Sequence, residues 1–337
     1  MKRNFVSRPL LHLAAGCVAA ILLLAATALS QAGTLVGWGY NGGGQTNGIP
    51  AANDFTAITG GGNDGYALHA DGSIVHWGAD LEGESSVPAG TGFTSIAAAY
   101  DSCYALRPDG SIAAWGGNFA GQTSNTPTGT GFKALGKGGA YTGYALRSDG
   151  SIAAWGYDVY GEVTGAPAGT GYKAIAGGYF TGYALRADGS IAAWGDNTAG
   201  EVTNVPSGTG FTSLAGGSRY NGYALRADGS IAAWGDNTYG EVSETPTGTG
   251  FIAIEAGNYT AYAVRSDGSI TAWGYNSYGQ ASNTPAGTGF TDVAAGALTG
   301  YALFAPAPEP SSLALIAIGG LITSAVWYRK RRRSVVV

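Results

Sequence analysis

The chain has 337 residues and a formal net charge of −5, and only 12% of its residues are charged. Basic residues at both ends mask the balance of the body, where residues 33–305 hold 9 Lys and Arg against 21 Asp and Glu, a net charge of −12. An acidic body of that size repels phosphate backbones, which excludes nucleic acid as a partner. With 59 Gly and 2 Cys, one of them Cys17 in a leader segment, the body cannot form an internal disulfide. Cys103 reads as a small apolar strand residue.

Residues 1–32 have a basic start (Lys2, Arg3, Arg8) and an apolar stretch from Ala14 to Leu29. Ser30-Gln31-Ala32 then places small residues at the two positions a signal peptidase reads, so the segment is a signal peptide cleaved after Ala32. Lipidation at Cys17 fits less well, because that residue precedes most of the apolar run.

Residues 33–305 are built from repeats. Seven Trp-Gly pairs, at Trp38, Trp77, Trp115, Trp155, Trp194, Trp234 and Trp273, follow one another at steps of 38 to 40 residues. A period near 40 filled with short strands and Gly-rich turns indicates an all-β radial array, a seven-bladed β-propeller. The clearest copy runs Ala174-Ile-Ala-Gly-Gly178, Thr181-Gly-Tyr-Ala-Leu-Arg186, Asp188-Gly189, Ser190-Ile-Ala-Ala-Trp-Gly195. Asp-Gly between two strand-length runs predicts a two-residue hairpin turn with positive φ at both positions. That turn sets Tyr183 opposite Trp194 and Leu185 opposite Ala192, with Ala184, Arg186, Ile191 and Ala193 on the other face, and makes a Tyr–Trp pair the large packing unit of each blade. The Ala-Gly-Gly run suits the crowded innermost strand. Residues 196–210 return across the blade, and Glu201-Val-Thr203 has the composition of a short outer fourth strand. Three strands plus an extended return are expected.

The first Trp-Gly has no preceding Tyr-Ala-Leu strand, and the last such strand, opening at Tyr301, has no following Trp-Gly. Two half-blades from opposite ends therefore complete one blade, which leaves no open sheet edge.

Near-identical repeats offer one group seven times, whereas catalysis needs a few unlike groups brought together. His69 and His76 would lie diagonally on one face if the two-residue turn holds, about 7–8 Å apart, with no further ligand at metal spacing. The repeated Glu84, Glu162, Glu201, Glu241, Gln45, Gln122 and Gln280 read either as a ring of acceptors or as side chains that bond loop backbone, the second being preferred. Asp196-Asn197 and Asp236-Asn237 act as turn caps or, alternatively, as calcium ligands; no cofactor or metal is expected. Variation lies in the loops between inner and middle strands, which hold Tyr100, Tyr141, Tyr179, Phe180, Arg219, Tyr220 and Tyr259. A second variable set, Leu81, Phe119, Tyr160, Tyr239 and Tyr278, follows the Trp-Gly pairs. Aromatic rings on rigid loops suit contact with a protein or glycan. The expected function is a monomeric, non-catalytic binding scaffold; the alternative is a polysaccharide- or peptide-processing enzyme using acidic residues of the channel or rim.

Residues 306–337 carry Pro308-Glu309-Pro310-Ser311, a 16-residue apolar segment at 313–328, and the basic run Arg329-Lys-Arg-Arg-Arg333. At about 1.5 Å per residue the segment spans a membrane only barely, and the bases hold its end in the cytoplasm. Motif, short span and basic tail together resemble the PEP-CTERM sorting signal of Gram-negative bacteria. The resemblance implies a transient inner-membrane anchor, an exosortase-type processing protease as partner, and delivery to the cell surface or extracellular matrix.

The repeats resemble those of the regulator of chromosome condensation family. Ala176-Gly-Gly178, Tyr183-Ala-Leu185, Asp188-Gly189 and Trp194-Gly-Asp-Asn-Thr-Ala-Gly-Glu201 carry the likeness, and similar matches run over about residues 34–304. The family's frequent His before Ala-Leu is replaced throughout, by Thr-Gly-Tyr or similar. The short period is similar to that of bacterial propeller-type β-lactamase inhibitory proteins. The founding member's nucleotide exchange on a small GTPase at chromatin does not suit an acidic exported chain, and a shared fold does not carry function.

Overall fold

The computed structural model describes residues 33–304. The expected signal peptide (residues 1–32), the segment 313–328 and the motif residues Pro308, Glu309 and Pro310 lie outside the described residues. Among the described residues every regular element is a strand, and the strands form seven separate sheets, each with an inner, a middle and an outer member. The protein is a seven-bladed β-propeller. Blades are numbered here from the sheet Phe55–Gly60, Asp64–His69, Ile74–Gly78. The seventh takes its outer strand, Leu35–Gly39, from the other end of the repeat region.

That seventh blade closes the ring. Leu35 to Gly39 pairs antiparallel with Leu303 to Thr299, and Phe290–Ala295 completes the sheet as inner strand. The half-blades meet as the repeat count requires, and the edge that each would expose alone is paired.

In the fourth blade the strands are Ala174–Gly177, Thr181–Leu185 and Ile191–Gly195. The middle strand is buried at every position while the outer strand alternates, as expected where one strand is covered on both faces and the other on one. The register departs from the two-residue turn. Gly182 pairs with Trp194, Tyr183 with Ala193, Ala184 with Ala192 and Leu185 with Ile191. The loop has three residues: the Arg186 amide donates to the Ser190 carbonyl at 2.8 Å, and the Gly189 amide donates to the Arg186 carbonyl at 2.9 Å. Only Gly189 takes positive φ, at 81°, the geometry of a type I turn closed by a left-handed residue. The Asp188 carboxylate accepts from the Ser190 amide (2.9 Å) and hydroxyl (2.8 Å), so Asp-Gly-Ser, and not Asp-Gly alone, sets the loop. The same Asp-to-Ser amide bond recurs at Asp71, Asp109, Asp149, Asp228 and Asp267.

One extra loop residue moves each side chain to the other face relative to its expected partner. The Tyr–Trp pair therefore forms between blades and not within one. Tyr183 meets Trp234 of the next blade edge-on, and all seven junctions repeat this contact at centroid distances of 5.2–5.7 Å and interplanar angles of 76–87°. Each Trp Nε1–H also donates, at 2.8–3.0 Å, to the main-chain carbonyl of the Glu or Gln in the preceding blade's crossover loop.

The proposed outer fourth strand is absent; residues 201–204 form turns. Asn197 Oδ1 accepts the Val202 and Thr203 amides, both at 2.9 Å, which bends the segment too tightly for a ladder. A short fourth partner occurs instead at the inner edge of the fourth blade, where Lys137–Gly138 pairs in parallel with Ala176–Gly177.

Inner strands converge on a cavity of only about 20 Å³, walled mainly by Gly and Ala. The crowding is severe: a Cβ on Gly216 would sit 2.2 Å from the Gly177 carbonyl of the neighbouring blade. Lys137 and Glu255 cross the axis as an ion pair at 2.8 Å. Burial works against the Lys137 charge, but Glu255 and Asp292 outweigh it and hold its pKa above the usual lysine value.

Trp194 is 5% exposed, so Trp194→Ala removes a junction aromatic and leaves a cavity. A loss of about 3–5 kcal/mol is expected, read from the denaturant midpoint. A shift worth under about 1 kcal/mol would show that the junction does not depend on the ring.

Candidate functional site

Inner and outer strands of a blade run the same way, so the inner-to-middle loops and the loops after Trp-Gly open on one face. The Asp-Gly-Ser hairpins occupy the other. Both variable loop sets thus share a rim, and their side chains touch. Phe119 meets Tyr141 (5.9 Å between centroids), Tyr141 meets Tyr157 (6.2 Å), and Tyr157 stacks on Phe180 (5.2 Å). Phe180 contacts Tyr179 (4.2 Å), and the Arg219 guanidinium bridges the rings of Tyr179 (5.6 Å) and Tyr259 (5.3 Å). From Tyr259 the chain of rings runs through Tyr275 (5.8 Å) and Tyr278 (6.4 Å) to Tyr40 (5.0 Å). The result is an unbroken aromatic belt reaching from the second blade round to the seventh.

Six of the seven loop residues picked out from sequence, Tyr141, Tyr179, Phe180, Arg219, Tyr220 and Tyr259, belong to this belt; Tyr100 stands instead in the wall of a separate cavity. All seven are half-buried, whereas the crossover residues project, Phe119 being 85% and Leu81 73% exposed. Belt members Tyr40, Tyr157 and Tyr275 escaped the sequence reading. They occupy the position after Trp-Gly, where Tyr, Ala, Gly and Asp alternate between otherwise similar repeats, and that variability was the available signal.

Tyr220 is the one non-glycine residue among those described with positive φ, at 55°. The fifth blade has one more loop residue than the fourth: Gly217 N–H donates to Asn221 O (2.9 Å), while Gly178 N–H donates to Thr181 O (2.7 Å). The additional residue takes the left-handed site usually given to Gly. A strained, bulky residue at a rim is a pointer to function; here it sets Tyr220 edge-on to Tyr179 at 5.8 Å.

The repeated Glu and Gln are structural, as preferred from sequence. In all seven loops a side-chain Oε accepts the amide two residues back, at 2.6–2.9 Å, and all are buried. Burial raises the carboxyl pKa of Glu162, Glu201 and Glu241. Asp196 Oδ1 is engaged by the Asn197 and Thr198 amides (2.7 and 3.1 Å), and Asp236 makes the same bonds, so both act as turn caps. His69 and His76 do not share a face, because the register shift sends them to opposite sides of the sheet. His69 Nδ1 lies 2.8 Å from Asp54 Oδ1, and His76 Nε2 lies 3.6 Å from Asp64 Oδ2. Among the described residues no group of three or more His, Cys, Asp or Glu is placed to hold a metal.

Beside the belt, between the first two blades, a cavity of about 170 Å³ is walled by Asn63, Asp64, Leu81, Glu82, Glu84, Tyr100 and Asp101. Burial, then Glu84, Glu82 and Asp64, push the Asp101 carboxyl up to about 6.

The model of the regulator of chromosome condensation (RCC1) repeat matches residues 251–280, which span the three strands of the sixth blade and the loop after its Trp-Gly. No curated protein matches the chain. Solved structures do: Prp20p from Saccharomyces cerevisiae, described with its binding properties to Gsp1p and histones, at 16% identity and a TM-score of 0.68, covering 87% of this chain and 95% of that one. Human WBSCR16 follows at 14% identity and TM-score 0.66, with 82% and 99% covered. The ectodomain of the Arabidopsis thaliana receptor kinase ACR4 shows 22% identity and TM-score 0.61, with 74% and 88% covered. At these identities the likeness is one of fold, and the fold is the propeller of RCC1-type repeats.

Proposed function

We propose that this chain is an exported, non-catalytic scaffold that holds a protein partner on the loop face of its propeller. The observation that carries this reading is the continuous belt of mostly half-buried rings bridged by Arg219, confined to one face. Aromatic and Arg side chains bury large areas with little entropy loss and dominate protein contacts. Exposed Leu81, Phe119 and Val159 on the same face offer surface that apolar side chains of a protein match better than a hydroxyl-rich glycan. Binding of Gsp1p and histones by the yeast propeller shows that the fold can serve as a protein-binding platform. A belt variant, Tyr179→Ser with Tyr259→Ser, should lose a partner captured from the native host by the wild-type chain. A far-face variant, Lys173→Ala, should keep it. Equal capture by both variants would move the contact off the rim.

The address rests on the two terminal segments. Signal peptide, PEP-CTERM-like motif and basic tail support export, a transient inner-membrane anchor, and release by an exosortase-type protease to the cell surface or matrix. In the native host, replacing Pro308, Glu309 and Pro310 by Ala should leave a larger, membrane-bound species in place of a released mature form. A wild-type protein that keeps a C-terminal epitope in the inner membrane would replace sorting with a plain tail anchor.

A further inference from the structure

We infer that the cavity between the first and second blades is a socket for one basic side chain, arginine or lysine, presented by the protein partner; this rests on the protein-binding reading of the loop face. Asp64, Glu82, Glu84 and Asp101 all stand in its wall. Asp64 is 3% exposed, its Oδ2 accepts the Tyr66 hydroxyl at 2.7 Å, and its Oδ1 has no hydrogen-bond partner. Glu84, 7% exposed, uses Oε2 on the Glu82 amide. Buried carboxylates are ordinarily paired or fully hydrogen-bonded; Asp64 has only a 3.6 Å approach of His76 Nε2 and keeps one oxygen without a hydrogen bond.

Among the described residues no Lys or Arg supplies the missing charge. Among the described residues, ion pairs join His69 to Asp54, His76 to Asp64 and Lys137 to Glu255; none reaches Glu82, Glu84 or Asp101. The neighbouring charges that shift Asp101 are all carboxylates, so its proton is held up to about 6. The other titratable neighbours are the phenols of Tyr100 and Tyr141, whose own pKa values burial and the Asp101 charge raise, and His76 behind Asp64. A site that keeps like charges together at a cost to folding is a common mark of binding.

Size and shape select an organic cation. The volume of about 170 Å³ holds several waters or the head of a long basic side chain, and the converging groups needed for a metal are missing among the described residues. Tyr100 brings an aromatic ring to the wall, a partner for a guanidinium or ammonium, and Leu81, 73% exposed, stands in the wall to cover an aliphatic stem. A buried charged anchor beside apolar knobs is the usual layout of an interface hot spot.

The test needs no identified partner. The full-length chain is titrated by calorimetry with the capped tripeptides Gly-Arg-Gly and Gly-Lys-Gly and with the neutral Gly-citrulline-Gly. At pH 7.5 at least one basic peptide should bind about tenfold or more tightly than the citrulline peptide. Asp101→Asn and Glu82→Gln, the latter on an exposed side chain that folding does not need, should each weaken it severalfold. At pH 5, with Asp101 largely protonated, binding should fall by a comparable factor. Melting provides a readout independent of ligand. A carboxyl whose folded pKa is raised makes the fold lose stability as pH climbs from about 4 through 6, so Asp101→Asn should melt higher than wild type at pH 7.5 and alike near pH 4. Equal binding of basic and citrulline peptides, or basic-peptide binding unmoved by both variants, would overturn the socket. If the peptides fail while the belt variant still loses its partner, the socket is wrong and the binding face stands. If the peptides bind while no partner depends on the belt, the converse holds.

Discussion

Everything in this molecule depends on the edge-on contact between a Tyr of one blade and the Trp of the next. It is repeated seven times and locked by the Trp Nε1–H bond to a crossover carbonyl. An aromatic pair of this geometry contributes about 0.5–1.5 kcal/mol beyond its burial, but its larger effect is directional. A small three-stranded sheet has no core of its own, and the Tyr and Trp rings, nearly all buried, tie each sheet to its neighbours at a fixed tilt. The same carbonyl that receives the indole belongs to the residue whose side chain folds the crossover loop. Packing between blades and loop shape are thus set by one Glu or Gln.

That coupling explains why the loop face can vary. Asn or Asp, Gly and Glu or Gln hold each crossover loop, and the Asp-Gly-Ser hairpins hold the opposite face, so the positions between them carry no structural duty. On the loop face those free positions have been filled with aromatic rings, which then pack into a belt. Most of the belt is half-buried because its members shield one another, while Phe119 and Tyr278 project from it. The result is a rigid aromatic surface whose side chains lose little entropy on contact.

Electrostatics divide the molecule in the same way. On the axis, where the cavity is only about 20 Å³, Lys137 and Glu255 neutralise each other. On the rim, four carboxylates gather, and among the described residues only His76, 3.6 Å from Asp64, stands against them as an ion-pair partner. The first arrangement serves the fold; the second weakens it, since burial and the neighbouring carboxylates raise the Asp101 pKa.

The period of the Trp-Gly pairs and the count of Tyr strands were enough to determine the number of blades and the way the ring closes, because a repeat of about 40 residues can bury its faces only against copies of itself. The repeated Asn, Gly and Glu or Gln were legible as loop chemistry for the same local reason. Register was not legible: Asp-Gly is compatible with loops of two or three residues, and the choice hung on Ser190 and its counterparts, whose amide and hydroxyl bind the Asp. That single residue moved the Tyr–Trp contact from within a blade to the junction and parted His69 from His76. Nor could the sequence foresee the belt through Tyr40, Tyr157 and Tyr275, or the meeting of Asp64 with Asp101. Residues nearly forty positions apart become neighbours only when blades are set side by side, and the inter-blade angle belongs to the tertiary structure.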